Sequence, residues 1–188
     1  MVRHLLVLSA VSCFLFLGGC GLLKSPSYTE ASFYDLGSSD EKVPAPVNVE
    51  FGLFTDKSGN GNRMVIRHTG GVRISHDEYN SFSASPALLV KRRLAVCFAP
   101  VNTPQTLTVS GDLLRFEYLE GKKVVRMVID YRIGCRGKSR VLRQELEEKV
   151  SGSGSAAAAG FEKCVVQSAR ALAGEIGAFA KECAKEKK

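Results

Sequence analysis

The sequence predicts an α+β fold: a mostly antiparallel sheet of about six to seven strands with two helices packed on one face, the second helix long and C-terminal. Three observations carry this expectation. Val125, Met127, Ile129, Tyr131 and Ile133 alternate with Val124, Arg126, Val128, Asp130 and Arg132, the period of a strand with two unlike faces. From Ala156 to about Lys185 the period changes: Phe161, Cys164, Val165, Ser168, Leu172, Ile176, Phe179 and Cys183 recur every three or four residues, one apolar stripe along a helix. A shorter helical stretch opens at Pro86. A sheet with one apolar face needs such helices to cover it.

Ahead of these elements lies an apolar run from Leu5 to Leu17, preceded by Arg3. As a helix it would measure roughly 20 Å, short of the about 30 Å that a bilayer core requires, so it reads as the apolar region of a signal peptide. It ends in Leu17-Gly18-Gly19-Cys20. This tetrapeptide resembles the bacterial lipobox, in which the cysteine sulfur receives a diacylglycerol, the leader is cut before it and the new amino terminus gains an acyl chain such as palmitate. The expected organisation is therefore a signal peptide at 1–19, a lipidated Cys20 with a Ser- and Pro-containing tether at 20–31, and one domain at 32–188. Two or three acyl chains hold a protein stably on a membrane, where one chain holds it marginally.

Within the domain, Ser32 to Leu36 is the first strand candidate, with Phe33 and Tyr34 as its bulky pair. Val47 to Phe54 alternates Val47, Val49, Phe51 and Leu53 against Asn48, Glu50 and Gly52, a half-buried strand. Met64 to His68 and Val72 to His76 flank Thr69-Gly70-Gly71, whose glycines supply the positive φ of a tight hairpin. Asp77 to Ser85 leads into the helix, with Ser85 as N-cap, Pro86 as first residue, and Leu88, Leu89, Arg92 and Val96 near one face, ending before Pro100. Gln105 to Val109 and Leu113 to Leu119 are strands, the second turning Leu114, Phe116 and Tyr118 to one side. Arg140 to Val150 fits both periods and is read as a strand that continues the meander. Ser151 to Gly154 is a linker, and Ser155 caps the long helix.

The chain carries a formal charge of +7, of which the leader holds only Arg3. The basic residues are dispersed, which suits anionic headgroups or an acidic partner and gives no reason to expect nucleic acid. Lys91-Arg92-Arg93 is the densest basic cluster, a candidate contact with headgroups or a partner, though a solvated helix face is the favoured reading. Cys97, Cys135, Cys164 and Cys183 allow three pairings, with free thiols equally open; Cys164 and Cys183, about 30 Å apart on one helix, cannot pair. Neither these cysteines nor His68 and His76 show metal-ligand spacing, and no phosphate loop is present, so no cofactor, metal or catalytic residue is expected. A thiol enzyme would need a cysteine, a histidine and an orienting group that spacing does not reveal.

Taken in order, YTEASFYDLG after the cysteine, RMVIRHTGGVRISHDEYNSF running into SPALLVKRRL, the LLRFEYLEGKKVVRMVIDYRI meander and the alanine-rich closing helix resemble the ABC-type transport auxiliary lipoproteins, the PqiC-like partners of MCE lipid-transport systems. Tyr34 and Leu36 match the family's aromatic-x-leucine opening, Tyr79 its aromatic before the helix, and Arg67 a basic residue on the preceding strand. Phe82 stands where the family carries tryptophan, keeping the apolar anchor without the indole N–H. The resemblance implies a periplasm-facing lipoprotein, in the outer membrane because Gly21 rather than aspartate follows the cysteine. It would dock an MCE-domain protein with its ABC permease and ATPase, support outer-membrane integrity, and leave room for self-association. The alternative is a lipoprotein that itself holds a lipid or lipopolysaccharide chain.

Overall fold

The computed structural model describes residues 29–37 and 40–185. Its elements are β1 (Ser32–Tyr34), β2 (Asn48–Asp56), β3 (Arg63–Arg67), β4 (Ile74–Phe82), α1 (Pro86–Cys97), β5 (Thr106–Leu119), β6 (Val124–Cys135), β7 (Lys138–Lys149) and α2 (Ser155–Lys185). The seven strands form one mixed sheet in the order β1-β4-β3-β5-β6-β7. β2 and β3 share one edge of β5: β2 runs parallel to its first half and β3 parallel to its last residues. The long meander β5-β6-β7 is antiparallel, as is β3-β4, while β1 joins β4 in parallel.

Local chemistry explains the turns. Arg136 and Gly137, with φ of 49° and 81°, form the two-residue loop between Cys135 and Lys138, the left-handed pair that matches the twist of a hairpin. Gly70 and Gly71 have φ of 91° and 75°, as their hairpin requires. Residues 138–149 are a strand, and the stripe on α2 is buried from Phe161 to Cys183.

Four expectations need correction. Leu53 does not face the core: β2 slips register between Phe51 and Phe54, so Phe54 packs inward and Leu53 is exposed. β5 is one strand of 14 residues, and its own register shift between Leu113 and Arg115 turns Leu113 inward in place of Leu114. A single inserted residue reverses the faces of everything after it. β4 runs on to Phe82 through an irregularity in which the Asp77 carboxylate accepts from the N–H groups of Tyr79 and Asn80. Finally, Ser85 makes no side-chain cap on α1, and the buried face of α1 is Pro86, Ala87, Leu89, Val90, Arg93, Leu94 and Cys97, leaving Leu88, Arg92 and Val96 outside.

α1 packs on β2, β5 and α2, and α2 on β5, β6 and β7, so both helices close over one core. At its centre Phe116 and Phe161 stack with ring centroids 3.7 Å apart, and Phe82 meets both edge-on. Gly160 lets α2 approach: a Cβ there would lie 2.5 Å from Val150 Cγ1 and 2.9 Å from Val125 Cγ2. A buried polar chain crosses this interface. Ser168 Oγ donates to Gln144 Oε1 at 2.6 Å, so the Tyr131 hydroxyl, also 2.6 Å away, donates to Ser168. Replacing Ser168 by alanine strands a buried tyrosine hydroxyl and is expected to cost about 1–3 kcal/mol, read as a lower urea midpoint at unchanged slope. An unchanged midpoint would show that this chain of bonds contributes nothing.

Candidate functional site

Leu17, Gly18, Gly19 and Cys20 lie outside the described residues, so lipid attachment remains a reading of the sequence. Of the basic cluster, Arg92 is exposed and Lys91 half-buried, but Arg93 is only 3% exposed and its Nη2 lies 3.2 Å from Glu162 Oε1 on α2. Arg93 therefore ties the two helices together and is not part of a surface patch. A basic residue reads as solvated until the acid that buries it, 69 positions later, is brought alongside.

Cys97, Cys135, Cys164 and Cys183 are buried, and none of them forms a disulfide. Burial pushes the Cys97 thiol up against the opposing pull of Arg93, and pushes Cys164 up to about 12. Both are protonated at neutral pH, whereas a nucleophilic cysteine needs its thiolate stabilised. Among the described residues no cluster of three or more His, Cys, Asp or Glu could hold a metal ion.

The side of the sheet away from the helices carries an ionic lattice. Glu117, 3% exposed, lies between two arginines: Arg67 Nε donates to Glu117 Oε2 at 2.9 Å, and Arg126 Nε and Nη2 donate to Oε1 at 3.0 and 2.5 Å. Strand register sets this up, since Val65 and Arg126 both stand opposite Glu117, and Arg67 lies on the same face two residues beyond Val65. Burial alone would raise the Glu117 carboxyl, but the hydrogen bonds and charges of Arg67 and Arg126 outweigh it and hold it below the ordinary carboxylate range. Arg143 grips Asp130 through two bonds of 2.7 Å, and Lys57 reaches Asp112 at 2.6 Å. The sequence separates Arg115 and Glu117 from the core side of β5 but gives no sign that Glu117 would be enclosed.

Beside this lattice a cleft of about 410 Å³ is lined by Arg67, His68, Leu119, Lys122, Arg126 and the Thr69-Gly70-Gly71 loop. His68 sits at its rim, with Nδ1 2.8 Å from Glu120 Oε2 and Nε2 2.8 Å from Ser75 Oγ. The order serine, histidine, carboxylate is that of a hydrolase relay. The setting differs. Ser75 lies within β4, paired to Ile66 of β3, and does not line the cleft, whereas a nucleophilic serine stands where substrate can reach it. The three groups instead pin the β3–β4 hairpin to the turn at Glu120–Lys122.

No helix among the described residues is long and apolar enough to cross a membrane. No family model matches the chain, and no curated protein matches it in sequence. Solved structures do. Protein XCC0632 from Xanthomonas campestris, of the family DUF330, superimposes with a TM-score of 0.61 at 12% identity, over 82% of this chain and 99% of its own. A second crystal structure, of an uncharacterized protein, gives 0.54 at 12% identity over 79% and 97%. A Caulobacter crescentus CB15 protein provisionally described as a lipoprotein gives 0.37 at 16% identity over 54% and 85%, too low a score to carry an argument. What this chain shares with the DUF330 protein is its fold, over nearly the whole of that protein.

Proposed function

We propose that this chain is a lipid-anchored accessory protein of an ABC/MCE-type phospholipid transport system, facing the periplasm from the outer membrane and acting by contact with the transport machinery rather than by catalysis. One observation carries the reading most: the fold is that of a DUF330 protein, DUF330 being the PqiC-like family, and it stands behind a lipobox-like Leu17-Gly18-Gly19-Cys20. The described chemistry suits such a role, since all four thiols are buried, burial raises those of Cys97 and Cys164, and Glu117, Asp130 and their arginines on the open face are spent on one another.

A carrier that held an acyl chain between sheet and helix would have to displace the stacked Phe116–Phe161 pair and break the Tyr131–Ser168–Gln144 bonds. The contact role asks for neither. Capture of the full-length protein from solubilised membranes is expected to bring with it an MCE-domain protein and an ABC permease, and C20S is expected to leave the protein unacylated and release it from the membrane fraction. Capture that repeatedly returns the acylated protein without those partners would overturn the docking role, and a stoichiometric phospholipid in native mass spectra would favour the carrier.

A further inference from the structure

Eight large apolar side chains stand exposed among the described residues, and four share one margin of the molecule: Phe33 (67%), Val72 (93%), Ile74 (50%) and Tyr79 (49%). The strand pairing shows why. β1 lies beside β4 with Tyr34 opposite Phe82, both packed on the core. Tyr34 also donates to Asn80 Oδ1, which puts Phe33 and Tyr79 on the other face. Ile74 stands opposite Arg67, whose side chain joins the ionic lattice of that same face. Val72 crowns the hairpin next to it. The result is an apolar row along the outermost strands, interrupted by His76 and rich in aromatic area at the end where the chain enters the sheet. Elsewhere on this face several charges are paired, Arg143 with Asp130, Lys57 with Asp112, and Arg67 and Arg126 with Glu117, while Arg115 and Arg132 stand exposed to water.

In the sequence the row begins close behind the lipobox-like cysteine. Cys20 precedes Ser32 by twelve residues, a span of at most about 40 Å when fully extended. Phe33 thus follows the lipobox-like cysteine by only thirteen residues. Aromatic and aliphatic side chains gain free energy at the boundary between headgroups and acyl chains, where tyrosine in particular keeps its hydroxyl wet. Such a contact would be too weak to hold a free protein, but an anchored one meets the surface at a high effective concentration.

We propose that the Phe33–Tyr79–Ile74–Val72 margin of the open face rests on the phospholipid surface in which the anchor is embedded, an inference that depends on the lipid at Cys20 proposed above. It fixes how the tethered domain is turned: the open face tilts towards its own membrane along the β1–β4 edge, and the helical layer points away. The exposed side of α1, with Lys91, Arg92 and Val96, then faces the aqueous space and is left for a protein partner. The opposite orientation, with α1 on the membrane, is the competing arrangement.

The chain contains no tryptophan, so single substitutions make clean reporters. F33W and V96W, both at exposed positions, are prepared as full-length protein from membranes and placed in vesicles of phosphatidylethanolamine and phosphatidylglycerol, with and without brominated acyl chains. An interfacial side chain sits roughly 5–10 Å into the boundary, so F33W is expected to shift to the blue and lose about half its emission to the bromines, while V96W is unchanged. Quenching of V96W alone, of both equally, or of neither overturns the proposal. Intact mass of the same samples separates the two levels: an acylated protein without F33W quenching defeats the orientation and leaves the anchor standing, whereas an unacylated Cys20 defeats both.

Discussion

Phe161→Ala is expected to cost about 3–5 kcal/mol, the range for removing an aromatic ring from a packed core. The ring is fully buried, stacked on Phe116 and touched edge-on by Phe82, so one side chain of α2 holds β4 and β5 beneath the helix. In a domain of this length each kcal/mol is worth about 2–4 °C, which puts the fall in melting temperature at about 6–20 °C. Phe161→Leu refines the result. It keeps most of the apolar volume and gives up the ring geometry, worth about 0.5–1.5 kcal/mol per aromatic pair, so it should recover the larger part of the loss. A loss below about 1 kcal/mol for the alanine variant would mean that α2 is not locked down at this point.

Glu117→Ala is the second large effect, about 3 kcal/mol, because it leaves two guanidinium groups facing each other across a carboxylate-sized gap. Arg67 and Arg126 keep some contact with water, their side chains being 16% and 25% exposed, which holds the cost at the lower end of the range for a broken enclosed pair. The pH dependence has a definite sign. The native carboxyl titrates below its ordinary 4.5, so its contribution is complete above that value and disappears as the pH falls through the lowered native value. Glu117→Gln removes the titrating group, and its stability should decline less steeply than the wild type's on the acid side. Parallel acid limbs in the two proteins would show that the triad contributes nothing to acid sensitivity.

The elements that the sequence announced are those with an uninterrupted period. In β6 every alternate residue from Val125 to Ile133 reaches the core, and in α2 the stripe from Phe161 to Cys183 is buried as spaced. Where the period breaks, the reading failed for a physical cause. The slips in β2 and β5 exchange Leu53 for Phe54 and Leu114 for Leu113, and alternation read across a bulge inverts faces. On α1 local pattern puts Arg93 outside because charge favours water; Glu162, 69 residues away on α2, makes its burial tolerable. Such pairings are long-range, and local pattern is blind to them. The same holds for Glu117, whose two arginines come from β3 and β6. The residues read as the anchor, Leu17 to Cys20, stand apart, since their reading rests on chemistry of processing rather than on packing.

The order in which the strands join also has a consequence for how the protein is made. Ser32 pairs with Asn80, Asn48 with Thr106 and Val65 with Glu117, so each of these neighbours must wait for a distant stretch of chain to emerge. Pairings of this kind are slow to close. The cover over Phe116, Ile129 and Tyr131 arrives last of all, in the final 31-residue helix. A nascent chain halted before Ser155 would thus hold a greasy, half-clad sheet, and the interval before the last helix docks is when a chaperone is needed most.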